Sequence, residues 1–273
     1  MKYPILAFLG LLCGGAQAED LYALVPTNNR WPAFDEQATA VAKDPLAANY
    51  YLVFDGSGSM GSTECGDGRA KIDVAKAAIE QFSRWVPATA NLGLYVFDAH
   101  GAGERVPLGQ GDRAPFRGAV MAVVAGRNTP LQAAMANAYA QLTRQAKSQR
   151  GYGEYHLVVV TDGASTDGDP LPTIRKVLRE SPVLIETIGF CIQERHSLNQ
   201  PGLTSYRAAN DPVALRQGLR EVLAEAPSFT VTQFAPAAEP VAGPTPPPPA
   251  GKPAAPGTAP APGTVWKIKD LFK

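Results

Sequence analysis

The sequence predicts an α/β fold, a mostly parallel sheet covered by helices on both faces. Two observations carry this prediction. Short apolar runs rich in β-branched and aromatic residues alternate with longer segments whose apolar residues recur at helical spacing. Two of these runs, Tyr51–Phe54 and Leu157–Thr161, lead into an aspartate followed at once by glycine, at Asp55-Gly56 and Asp162-Gly163.

Asp20–Asn49 contains Pro26, Pro32 and Pro45 and little periodicity. It reads as an extension over the domain surface, with a short helix near Asp35–Ala42 and with Trp31 and Phe34 as packing anchors. The first strand follows and ends on Asp55. Arg69–Val86 is a helix with Ile72, Ala75, Ile79, Phe82 and Val86 on one stripe, and Lys71, Asp73, Lys76 and Glu80 on other faces. Asn91–Asp98 is the second strand. After a turn at Gly101–Gly103, Glu104–Leu108 pairs back antiparallel at an edge. Arg117–Ala125 suits either a short helix or a buried strand. Pro130–Lys147 is a helix with Leu131, Met135, Ala138 and Leu142 on one stripe and a proline in its first turn. Tyr155–Thr161 is a strand, Pro172–Glu180 a helix, and Val183–Phe190 a strand followed by a loop through Pro201. Thr204–Ala209 is the last strand, and Asp211 caps a helix over Val213–Glu225. Phe229–Phe234 alternates as a further edge strand would.

The termini differ from this core. Residues 1–18 combine Lys2, an apolar run from Ile5 to Leu12 and Ala16-Gln17-Ala18. That is the pattern of a secretory signal cleaved after Ala18, which places the mature protein in the periplasm or outside the cell. Leu12 before Cys13 is too large for a lipidation site. Residues 19–47 form the extension, and residues 48–234 the folded domain. Residues 235–264 are a Pro/Ala-rich disordered linker, with eleven of the 25 prolines in Pro236–Pro262. Residues 265–273 regain Trp266, Ile268, Leu271 and Phe272 among lysines, the composition of a short docking segment for a second partner or a membrane surface. Acidic and basic residues balance at 25 each, so nothing in the charge suggests nucleic acid, which usually needs a strongly basic face. Beyond the signal only Cys65 and Cys191 remain. In an oxidising compartment they are a candidate disulfide, since a parallel sheet brings both to its carboxyl edge.

Asp55, Ser57 and Ser59 sit two residues apart in a Gly/Ser turn and can face one side of it. One carboxylate and two hydroxyls are hard ligands suited to a cation of the magnesium type. Gly126–Leu131 (GRNTPL) supplies Thr129, and Leu157–Gly163 (LVVVTDG) supplies Asp162. Asp-x-Ser-x-Ser, a later Thr and a strand-end Asp resemble the metal-ion-dependent adhesion site (MIDAS) of von Willebrand factor type A domains, and the likeness covers residues 48–226. That resemblance implies a doubly wound sheet with one antiparallel edge strand. It implies direct ligation by Ser57, Ser59 and Thr129, with Asp55 and Asp162 acting mainly through water. The cation would be Mg2+, with Mn2+ or Ca2+ as alternatives, and a partner protein's carboxylate would complete the shell. Asp98, His100, Ser165, Thr166, Asp167 and Asp169 are further residues of the same edge that could set specificity.

Catalytic patterns fit poorly. Neither Ser57 nor Ser59 lies in Gly-x-Ser-x-Gly. His100, His156 and His196 lack zinc spacing, and His156, at the start of a strand, reads as structural. The expectation is an exported binding protein rather than an enzyme. A structural accessory of a cell-envelope assembly, a surface adhesin and, last, a metal-dependent hydrolase are the rivals.

Overall fold

A computed structural model of the chain describes residues 31–33, 40–192 and 196–224. The signal, Phe34, the Phe229–Phe234 strand, the linker and the terminal segment lie outside these residues. So does most of the helix expected near Asp35–Ala42, and residues 40–42 are not helical.

Six strands form one sheet: β1 (Asn49–Asp55), β2 (Asn91–Asp98), β3 (Gly101–Gly109), β4 (Tyr155–Thr161), β5 (Leu184–Phe190) and β6 (Ser205–Ala209). Their order is β3-β2-β1-β4-β5-β6, with only β3 antiparallel, on the edge beyond β2. This is the predicted doubly wound sheet. The chain adds strands outward from β1 in one direction, then returns to lay β4 on β1's other side. The winding therefore reverses between β1 and β4, where open α/β sheets leave a crevice at their carboxyl ends.

Among the described residues five α-helices cover the sheet: α1 (Lys71–Trp85), α2 (Ala114–Met121), α3 (Leu131–Gln149), α4 (Leu171–Glu180) and α5 (Pro212–Ala224). Every residue of β1 is buried, because helices cover both of its faces. Tyr50, Leu52 and Phe54 pack with Ile79 and Phe82 of α1, Phe116 of α2 and Leu219 of α5. Tyr51 and Val53 pack with Met135 and Leu142 of α3 and Ile174 of α4. The ambiguous stretch Arg117–Ala125 is helical as far as Met121, within α2, which starts earlier at Ala114 with Pro115 in its first turn. Trp31 anchors the N-terminal extension as expected, its ring edge-on to Tyr155 with centroids 4.9 Å apart.

Asp211 caps α5 by accepting the N–H groups of Val213 and Ala214 at 2.7 and 2.8 Å. Cys65 and Cys191 are joined in a disulfide with their Cα atoms 5.7 Å apart. It ties the loop between the Gly/Ser turn and α1 to the end of β5. Among the described residues, no helix is long and apolar enough to cross a membrane.

Candidate metal centre

In-register pairing sets the level of the site. Asp55 lies opposite Phe97 of β2, and Phe54 opposite Val160 of β4. Asp162, one residue past β4, therefore stands beside Asp55 at the reversal point. Asp55 is fully buried. One of its oxygens accepts the Ser57 N–H at 2.8 Å and the other the Thr161 hydroxyl at 2.5 Å. Burial pushes its pKa up to about 6. Hydrogen bonds from Ser57 and Thr161 pull against that shift, and the Asp162 charge adds to it.

Three backbone hydrogen bonds shape the turn. Gly56 N donates to Phe97 O at 2.8 Å, Gly58 N to Arg127 O at 3.1 Å, and Gly126 N to Gly56 O at 2.9 Å. They clamp the Gly126–Thr129 segment onto the Ser57–Ser59 turn. The approach needs glycine at position 56, since a Cβ there would lie 2.7 Å from a Val123 methyl and 2.9 Å from Asp98 Cβ. Gly56→Ala is expected to cost about 1–3 kcal/mol by overpacking, read as a lower midpoint in thermal or urea unfolding.

The five residues singled out from the sequence meet here. The Ser57 and Ser59 hydroxyl oxygens are 3.1 Å apart, and Ser59 Oγ donates to Asp162 Oδ1 at 2.6 Å. A methyl built on Gly163 would sit 3.8 Å from Ser59 Oγ and 3.9 Å from Thr129 Oγ1, so the two hydroxyls converge on one glycine. Thr129 is held by reciprocal bonds with Thr166, its N–H donating to Thr166 Oγ1 at 3.1 Å and its carbonyl accepting Thr166 N–H at 2.9 Å. Adjacent corners of a magnesium octahedron with bonds of about 2.1 Å are about 3.0 Å apart, which the serine pair matches. Among the described residues no three His, Cys, Asp or Glu side chains group as a metal site. This set instead joins two carboxylates to three hydroxyls, a composition suited to a hard cation.

Sequence reasoning missed two residues of this edge. Lys71, placed off the apolar stripe of its helix, is buried, and its ammonium lies 2.7 Å from Asp162 Oδ2. His196 donates from Nε2 to Gly163 O at 2.8 Å, a tautomer fixed by the Leu198 N–H donating to Nδ1 at 3.2 Å. Several residues considered for specificity are occupied locally. Asp98 is buried and accepts the N–H groups of His100 and Val124 and the Arg105 guanidinium. Asp167 caps α3 through Gln132 and Ala133 N–H, and Asp169 accepts Leu171 N–H at the start of α4. His156 is structural as expected, buried and stacked on Tyr50 with its Nδ1 3.2 Å from Glu186. Beside Thr129 a cleft of about 450 Å³ opens between Phe97, Gly101 and Ala102 on one side and Arg127, Asn128 and Pro130 on the other.

The fold and the sequence together define a class of protein. Residues 49–236 match the von Willebrand factor type A domain model, and the chain belongs to that family. The uncharacterized protein YwmD of Bacillus subtilis (strain 168) is 30% identical over 161 residues, 55% of this chain and 70% of YwmD. The pilus adhesin SpaC from Lactobacillus rhamnosus GG superposes with a TM-score of 0.50 at 16% identity, over 67% of this chain and 31% of the adhesin. Proximal thread matrix protein 1 from the mussel byssus, solved with a zinc-occupied MIDAS motif, superposes with a TM-score of 0.50 at 17% identity, over 65% of this chain and 45% of that one. At these identities the two structures show a shared fold, and the chain spans less than half of either. Such domains thus occur in a pilus adhesin and a matrix protein.

Proposed function

We propose that the domain binds a partner protein through a divalent cation, with Ser57, Ser59 and Thr129 as direct ligands and Asp55 and Asp162 acting through bound water. The observation that carries this reading is the Ser57–Ser59 hydroxyl pair beside Asp162, spaced as adjacent corners of an octahedral ion are, with the Thr129 hydroxyl near the same Gly163. Neutral hydroxyls leave the ion short of negative charge, so a carboxylate on the partner is the natural remaining ligand. Magnesium is the proposed ion, with manganese or calcium as alternatives. Zinc in the mussel protein's motif makes it a fourth ion to test. The reading is one of binding without turnover.

The disulfide fits an oxidising compartment. It supports export to the periplasm or the exterior, with the segment 265–273 as a second attachment point to a partner or a membrane surface. Deleting that segment separates the two main settings. An envelope accessory then leaves its complex, whereas an adhesin keeps its ligand.

Calorimetric titration of the mature protein with Mg2+, Mn2+, Ca2+ and Zn2+, beside Ser57→Ala/Ser59→Ala, tests the reading. The expected result is saturable one-site binding that the double variant loses while keeping its circular dichroism spectrum. A folded wild-type domain that takes up none of the four ions refutes it.

A further inference from the structure

Lys71 breaks two habits of lysine. It is 4% exposed, although lysine is almost never fully buried without a partner. It is also the first residue of α1, where the helix dipole disfavours a cation. The position is firmly held. Lys71 N–H donates to Ser62 O at 2.7 Å, directly after the turn that carries Ser57 and Ser59. The ammonium then reaches across to Asp162 Oδ2 at 2.7 Å, while the other oxygen of that carboxylate accepts the Ser59 hydroxyl. One side chain thus joins the metal edge from behind, on a helix whose other buried residues include Ile72, Ile79 and Phe82 of the core.

We propose that Lys71 is a tethered counter-ion that lowers the site's affinity for its cation and raises its affinity for an anionic partner. The inference rests on the cation reading of the same site. Asp55 and Asp162 alone would neutralise a divalent ion, and the loaded site would offer a carboxylate no net charge. With Lys71 present the loaded site keeps one positive charge, which the partner's carboxylate then balances. Before any ion arrives, the ammonium stabilises Asp162, so the domain folds without metal. Lys71 opposes the ion because a fixed positive charge behind the ligand shell repels it at short range in a weakly screened site.

The test is Mn2+ titration by calorimetry of wild type, Lys71→Met, Lys71→Gln and Lys71→Arg, with thermal melts of each with and without the ion. Removing the charge is expected to tighten Mn2+ binding about tenfold in the Met and Gln variants, while Lys71→Arg stays within about threefold of wild type. Both neutral variants melt below wild type without Mn2+, since Asp162 loses its partner, and gain more from the ion than wild type does. Damage to the fold can only weaken binding, so tighter binding separates charge removal from a structural role, and the Gln variant serves if the Met variant does not fold. Equal or weaker Mn2+ binding by both folded neutral variants overturns the inference and leaves the cation reading standing. Absence of binding by wild type and variants alike overturns both.

Discussion

Replacing both cysteines, as Cys65→Ala/Cys191→Ala, is expected to lower the midpoint of thermal unfolding by about 10 °C. The bridge spans a separation of 126 residues and encloses β2 to β5 with α1 to α4. In the chain-entropy account, a loop of this size is worth about 4–5 kcal/mol through restriction of the unfolded chain. For a domain of this size each kcal/mol moves the midpoint by about 2–4 °C. Both cysteines also have left-handed backbone, at φ 54° for Cys65 and φ 59° for Cys191. An alanine there keeps the strain and loses the tether, so Cys65→Gly/Cys191→Gly is expected to melt above the alanine pair. The loss also reaches the site, because the bridge fixes the loop that follows Ser59 to the end of β5. Cation affinity should fall in the alanine pair, while the ligand residues remain unchanged. A shift under about 3 °C in differential scanning calorimetry would sink the claim that this bridge is a main source of stability.

The five proposed ligands were legible in the sequence because their placement follows from local pattern. A buried parallel strand ending on Asp places that Asp at the carboxyl edge, and Gly56 and Gly58 announce the tight turn beyond it. The cysteine pair was legible by the same argument, since parallel topology brings the ends of β1 and β5 to one edge. Lys71 was not legible. A first-turn lysine reads as solvated, and its partner Asp162 lies 91 residues further on. Only the conflict between its charge and the helix dipole hinted at a reason. The capping roles of Asp167 and Asp169 were hidden for a related cause. An exposed aspartate in a loop beside a site looks available for ligand, yet both are used to satisfy helix-start N–H groups. Helix α2 stayed ambiguous because a short apolar run does not separate a period of 3.6 from a buried strand.

Saturating Mn2+ is expected to raise the wild-type melting midpoint by about 5–10 °C at pH 7.5, and by far less at pH 5. Binding to the folded state alone, at a hundredfold excess over Kd, adds about 2.7 kcal/mol, which sets the scale of the shift. The pH dependence comes from Asp55. Burial raises its pKa from 3.8 to about 6 in the metal-free fold, so that fold prefers the protonated carboxyl. The stability this group contributes is therefore fully present below 3.8 and is lost as pH rises through about 6. At pH 7.5 the metal-free domain holds a buried carboxylate with two hydrogen-bonded groups and no cation on it, and Mn2+ offsets that cost. At pH 5 a proton already occupies the carboxyl and the ion must displace it, which weakens binding by up to about tenfold per pH unit below the folded pKa. Asp55→Asn removes both effects together. It should melt above wild type at pH 7.5 without metal, show no such advantage at pH 5, and gain little from Mn2+ at either pH. A Mn2+ shift of equal size at both pH values, or one retained in full by Asp55→Asn, would show that the ion binds somewhere other than the edge shared by β1 and β4.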